Sequence, residues 1–293
     1  MKTGLFSVSY AGLWGQARLD LIPFIQKAAE LGFQGVLLMA KRPHLSPLDF
    51  DESQLIQIKQ ALDMHKMQLI GLACYNDFLL PAASEIPVQD MQMAYIDQCC
   101  RMTSFLGGEL VRVFTGYARN DLPFPKQWEQ VVSLLQECGE RAARYGIKLA
   151  VQNHHDLAVG TEAIHLLLAE VGRDNVKAGY DAWSPFLRGE NLTEGAQKMA
   201  SQTIMTIAAN YLRFPRYAYH AESVNYTRVE PDFVKATSMQ AGAIDYAGFF
   251  KALQAGGFDG WYVYEMCSPL IGGPSLENLD RKAREFQEFM KSL

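Results

Sequence analysis

The chain has 293 residues, 49% of them hydrophobic and 20% charged, and 27 Lys and Arg against 32 Asp and Glu leave a formal charge of −5. Such a chain can bury a sizeable core, which excludes a disordered tail, a collagen-like fibre and a disulfide-stapled mini-domain. The acidic balance argues against a broad nucleic-acid surface, and no apolar run approaches the ~20 residues that span a bilayer.

Taken in order, the residues repeat one rhythm. The opening MKTGLFSVSYAGLW has no long apolar stretch or cleavage site of a secretory leader and reads as a strand and loop. LDLIPFIQKAAELG follows, with Leu21, Ile25, Ala28, Ala29 and Leu31 as an apolar stripe and Gly32 as its stop. Next come the strand FQGVLLM, a helix from about Asp51 carrying Leu55, Ile58 and Leu62, the strand QLIGLACY, and a helix from about Val88 to Leu106. LVRVFTG, IKLAVQN, VKAGYDAW, TIMTIAANY and WYVYEM are the remaining strands, and a helical stretch follows each.

Eight strands alternating with eight helices imply a parallel sheet, and eight is the number at which such a sheet closes. The fold expected is therefore an α/β (β/α)8 TIM barrel. The competitor, an open doubly wound sheet, usually shows a G-x-G-x-x-G turn when it binds a dinucleotide, and the sequence has none. No Pro/Gly/Ser linker divides the chain, so residues 1–293 read as one domain. The longest non-periodic stretch, Arg213–Ala243, reads as an ordered loop over the barrel mouth or as an oligomer contact, which leaves a homo-oligomer open. Cys74, Cys99, Cys100, Cys138 and Cys267 are odd in number and lack a C-x-x-C pair, so reduced thiols and a cytoplasmic location are expected.

Chemistry in a β/α barrel sits at the C-terminal strand ends. There the chain places Arg112 and Thr115 on the fourth strand, Gln152 to Asp156 after the fifth, and Asp181, Trp183 and Ser184 after the sixth. Thr206 and Asn210 end the seventh, and Glu265, Cys267 and Ser268 the eighth. Alternation puts Gln152 and His154 on the face of Ala150, and Glu265 and Cys267 on that of Val263, while Leu149, Val151 and Tyr264 face the helices. Asp181 lies with Gly179. A carboxylate in WYVYEMC needs a cation or donors, and so does Arg112 in VRVF need an anion. Asp181, Glu265, Gln152 and a neighbouring His can together hold one oxygen-preferring divalent ion. Each carboxylate alone is more often a loop cap or an ion-pair partner than a metal ligand. Trp14, Trp183 and Tyr75 either stack on a sugar ring or pack the core.

The segments AVQNHHD, YDAWSP, ANYLRFPRY, AGAIDYAGFFKAL and GGFDGWYVYEMCSPLIGG make the whole chain resemble the sugar phosphate isomerase/epimerase family, the xylose-isomerase-like TIM barrels. The resemblance implies a divalent metal (Mn, Mg or Zn) held by Glu, Asp, His and Glu from strands five to eight. Here Asp181 and Glu265 match, Gln152 stands for the first Glu, and the His position falls at Met205, which leaves a weak site. His155 or His220 supplies the missing imidazole only if its loop folds back.

The resemblance implies an isomerase or epimerase, or a lyase, acting on a sugar or sugar phosphate. Its expected catalytic residues are Glu265 and His154, and its expected substrate contacts are Arg112, His155, Trp183 and Arg213. Gln152, Asp181 and Glu265 are the expected metal ligands. A neutral amide cannot take a proton from carbon, so a symmetric two-Glu mechanism is lost. The alternative is a non-catalytic or regulatory sugar-binding barrel. A nuclease of the same fold needs more ligands and a basic groove, which the charge opposes.

Overall fold

The computed structural model describes residues 1–81 and 85–293. Its strands are β1 (Lys2–Phe6), β2 (Gly35–Met39), β3 (Gln68–Ala73), β4 (Leu110–Val113), β5 (Lys148–Gln152), β6 (Val176–Gly179), β7 (Thr203–Ala208), β8 (Asn210–His220), β9 (Asn225–Thr237) and β10 (Trp261–Tyr264). All but β8 and β9 form one closed parallel barrel, in the order β1-β10-β7-β6-β5-β4-β3-β2. The helices are α1 (Leu21–Glu30), α2 (Glu52–Met64), α3 (Val88–Phe105), α4 (Phe124–Ala143), α5 (Thr161–Val171), α6 (Trp183–Leu187), α7 (Leu192–Met199), α8 (Tyr246–Ala255) and α9 (Leu276–Lys291). The fold is the (β/α)8 TIM barrel, and the short α6 is an addition to the eight expected helices. Among the described residues no helix is long and apolar enough to cross a membrane.

Local sequence explains the helix ends. Asp51 caps α2 by accepting from the Gln54 backbone, while the Gln54 side chain accepts from the Asp51 N–H, a reciprocal capping box. Gly172 ends α5 in the left-handed region at φ 61°, where a side chain would be strained. The expected stripes are buried in α1 and α2: Leu21, Ile25 and Ala28, then Leu55, Ile58 and Leu62. Ala29 is only partly buried.

Strand alternation divides the core into two bodies. Leu149, Val151 and Tyr264 pack outward among the helices, while Ala150, Met205, Ile207 and Val263 pack inside the barrel. The barrel base is filled by Trp261, which is 2% exposed. A Cβ on Gly35 would come within 2.9 Å of the Trp261 ring, so β2 needs a glycine there.

The stretch expected as a loop is instead a long antiparallel hairpin. β8 and β9 pair from Asn210–Thr237 at the base to His220–Asn225 at the tip. Tyr219 and Tyr226 face each other across it with ring centroids 5.1 Å apart, and Asp232 takes ion pairs from both Arg213 and Arg228. Only the base is buried, and Phe214, Tyr217, Tyr219, Tyr226 and Phe233 are exposed. Because neither face of the outer hairpin lies on a core, its sequence carries no in–out alternation to read.

Trp261→Ala empties the base of the barrel without removing a hydrogen bond, since the indole N–H has no partner. The expected loss is about 3–5 kcal/mol. It appears as a lower urea midpoint at unchanged slope; a midpoint that stays put would show that the base is not packed around this ring.

Candidate active site

The mouth of the barrel holds a cavity of about 190 Å3, lined by Gln152, His154, Asp181, Trp183, Tyr211 and Glu265, with Ile207, Tyr246 and Cys267 among its other walls. A larger groove of about 680 Å3 lies outside it, between the loops that follow β5 and β6. Charged groups in that groove are largely paired: Glu162 with Lys198, and Glu190 with both the backbone and the hydroxyl of Thr161. The unpaired polar chemistry is in the smaller cavity.

Gln152 ends β5, and its amide Nε2 donates to Asp181 Oδ2 at 2.7 Å. Asp181 sits just past β6 and is held by its backbone. Asn153 Oδ1 accepts its N–H at 2.8 Å, and Asn153 Nδ2 donates to its carbonyl at 3.0 Å. The carboxyl is buried, and no well-formed hydrogen bond reaches its Oδ1. Burial pushes the Asp181 carboxyl up to about 7; the Gln152 bond opposes that shift and the Glu265 charge adds to it.

Glu265 follows β10, its N–H donating to the Ala208 carbonyl at 3.0 Å. Its carboxyl is pushed up by burial and held down by the Cys267 thiol, Arg112 and Lys41. Cys267 in turn meets the Tyr211 hydroxyl at 2.7 Å, so Tyr211, Cys267 and Glu265 form a chain of polar contacts. Trp183 opens α6 and stands 4.4 Å from the Tyr211 ring, making an aromatic wall.

Arg112 crosses the interior from β4. It is 1% exposed, bonds the Cys74 carbonyl at 2.8 Å through Nη1, and leaves Nε without a partner. Its guanidinium lies 3.8 Å from the Phe114 ring centre and 4.9 Å from that of Tyr75. Lys41, just past β2, also sits over Tyr75, 3.7 Å from its ring centre.

Several expected residues take other positions. Met205 is one layer below the cavity, and Ile207 on β7 and Ala209 just past it line the cavity instead. The residue facing the site where an imidazole was expected is thus aliphatic. Arg213 pairs with Asp232 on the hairpin at 3.0 Å and is not brought to the cavity. His220 bonds Thr227 near the hairpin tip, so it supplies no imidazole. His155, at φ 66°, packs against Phe114 and Tyr117 and stays at the rim. His154 does line the cavity. Its outer edge is exposed, yet the protein around the ring and the Arg112 charge push it down to about 4, so it is neutral at pH 7. Trp14 lies outside the cavity lining, and Asn210 is a staple between β7 and the Met239 and Ile244 carbonyls.

Lys41 and Tyr211 escaped the sequence reading. Lys41 follows the apolar run GVLLMA at a C-terminal strand end, a position like that of Asp181, and this is the signal that points to it.

The donors do not make a complete cage for a hard divalent ion. Two carboxylates face the cavity, the amide N–H of Gln152 points at one of them, and β7 contributes hydrocarbon. Among the described residues no group of three His, Cys, Asp or Glu side chains is placed to hold a metal.

Solved structures share this architecture. A D-psicose 3-epimerase from Clostridium cellulolyticum H10 matches with a TM-score of 0.73 at 15% identity, covering 100% of this chain and 99% of that one. The 3-keto-D-glucoside 4-epimerase of E. coli matches with a TM-score of 0.74 at 13% identity over 100% of both chains. A probable 3-DHS dehydratase from Bacillus anthracis matches with 0.74 at 14%, over 99% of both. At these identities the likeness shows the fold. In sequence, an inosose dehydratase of Geobacillus thermodenitrificans (strain NG80-2) is 28% identical over 172 residues, so the chain spans about half the length of that curated relative, 54%. Residues 25–293 match the family model of the xylose isomerase-like TIM barrels, and the chain belongs to that family.

Proposed function

We propose that the chain is a carbohydrate-acting enzyme of the isomerase or epimerase kind, moving a proton at a carbon next to a carbonyl of a sugar-sized polyol. The observation that carries this reading is the pair Asp181 and Glu265, two carboxyls with raised affinity for protons facing one cavity of about 190 Å3. A base near neutrality must hold its proton neither too weakly nor too strongly, and desolvation against nearby cations sets that balance.

In this reading Glu265 takes the proton. The Cys267 thiol beside it stays protonated, because burial and the Glu265 charge push it up. Asp181 carries a proton for part of the time at pH 7 and donates it to the substrate oxygen. Trp183 and Tyr211 give an apolar wall for the ring face of a sugar. His154, neutral at the rim, accepts the His155 N–H at Nδ1, which leaves its Nε2–H to donate one hydrogen bond to a substrate hydroxyl.

A second reading has its own support. The similarity to an inosose dehydratase favours loss of water, in which Asp181 protonates the leaving hydroxyl while Glu265 removes the neighbouring proton. Incubation in D2O with a panel of ketoses and keto-polyols separates the two. An epimer or isomer carrying deuterium at carbon supports the first reading; a product short of one water supports the second. No turnover of any member would favour a binding barrel.

Glu265→Gln is nearly isosteric and removes the base. Turnover is expected to fall by at least ~100-fold with the melting temperature within a few degrees of wild type. A variant that melts early but keeps full activity would make Glu265 a scaffold residue.

Asp181 also gives a pH signature. Its folded-state value of about 7 lies above the ordinary carboxyl value of 3.8, so between these values the folded chain binds more protons than the unfolded one. Stability therefore falls as pH rises from about 4 to 7. Asp181→Asn removes this term, and at pH 8 the variant should exceed wild type by more than ~1 kcal/mol, with the gap narrower at pH 5. Denaturant melts at both pH values check the sign; a gap independent of pH would place the carboxyl in an ordinary range.

A further inference from the structure

The positive charge of the cavity comes from the side opposite its carboxylates. Arg112 on β4 and Lys41 just past β2 belong to strands that stand opposite β10 and β6 in the closed barrel, the strands that lead into Glu265 and Asp181. Neither has a carboxylate at ion-pair distance among the described residues, although Arg112 is almost fully buried. A buried guanidinium without an anion is costly unless something balances it. Two cations on one side of the barrel therefore stand opposite two carboxylates on the other. A divalent ion added between them would leave an excess of two positive charges in a poorly hydrated space.

The carboxylate side is also shaped against an ion. The Gln152 amide fills the approach to Asp181 Oδ2 with N–H, a group that repels cations. Ile207 presents a branched hydrocarbon from β7, and it packs with Met205 and Val263 in the barrel interior. The cations are fixed rather than mobile. Phe6, Tyr75 and Phe114 surround the Arg112 guanidinium at 5.8, 4.9 and 3.8 Å, and Tyr75 carries Lys41 at 3.7 Å.

We propose that Arg112 and Lys41 supply in this chain the positive charge that the family's divalent ion would supply, so that the site works without metal. Arg112 acts as a positioning residue, fixing positive charge across the barrel from Glu265, and Lys41, held over Tyr75, offers its ammonium to an oxygen of the ligand. The inference rests on the site being this mouth, as the proposed function does, and not on which reaction runs there.

The test reads metal binding and leaves turnover aside, so its failure is distinct from failure of the proposed reaction. MnCl2 is titrated by calorimetry into chelator-treated wild type and into Gln152→Glu/Ile207→His, with native mass spectrometry for stoichiometry. Wild type should show no binding tighter than about 1 mM, and the double variant should take one Mn2+ per chain at least ~10-fold more tightly. Arg112→Met should make the melting temperature rise with MnCl2, a response wild type lacks; Lys41→Met serves the same purpose if the buried variant does not fold. One Mn2+ per wild-type chain at micromolar affinity would overturn the proposal. So would a double variant that stays empty, or cation-deleted variants that ignore MnCl2 as wild type does.

Discussion

Pairing of Lys2–Leu5 with Trp261–Tyr264 joins the first strand to the last, and that ladder decides what every inward residue meets. A closed parallel sheet has no edge, so its register cannot slip by one residue without turning each side chain to the wrong face. Along β10 the inward sequence is then Trp261, Val263 and Glu265: a plug, a filler and an acid. Along β5 it is Ala150 and Gln152. Hydrophobic layers fill the lower barrel, so the first inward polar side chains stand at the mouth, where loops can cover them but not pair them all. The carboxyls there hold their protons strongly because the same packing that closes the barrel also removes water from around them.

Much of this is legible in the sequence wherever polar and apolar residues alternate. AVQN and YVYE mark their inward faces by a change from hydrocarbon to a polar group, which is why Gln152 and Glu265 fall where the alternation puts them. TIMTIAAN offers no such mark. Met205, Ile207 and Ala209 are all inward and all apolar, so a reading by likeness lands one layer too deep, on Met205. The cavity itself meets Ile207. Arg213 fails for a different reason. It lies on β8, whose outer part has solvent on both sides, and there the Asp232 carboxylate on the paired strand takes its charge.

Side-chain to backbone bonds set the site's shape as much as the barrel does. Asn153 grips Asp181 at both its N–H and its carbonyl, which leaves the carboxyl free to turn toward Gln152. Asn210 ties the end of β7 to the segment before α8 through three bonds, to the Met239 and Ile244 carbonyls and from the Ile244 N–H, and accepts a fourth from its neighbour, the Tyr211 N–H. Tyr246 closes the same region, its hydroxyl donating to the Ala209 carbonyl and accepting from the Ala209 N–H. Such amides and hydroxyls at strand ends look like catalytic candidates in a sequence, because both kinds of residue occupy the same places. Only the partner of each side chain separates them: a satisfied amide is a staple, whereas an acid with a free oxygen is available for chemistry.

The hairpin follows from this stapling. β8 begins at Asn210, so the arm leaves the barrel from a fixed point, and its next residue, Tyr211, is buried against Trp183 and Cys267. Val234 on the returning strand lines the same cavity. The base of the arm is thus part of the cavity wall, while its outer half, with Tyr217, Tyr219 and Tyr226 exposed, rests on nothing but its own cross-strand pairs. Two strands alone are marginal in water, so order in the outer arm depends on what its base is fastened to. Through Tyr211 and Cys267 that fastening reaches Glu265, and a shift of the arm's base moves the aromatic wall and the thiol against the carboxylate together.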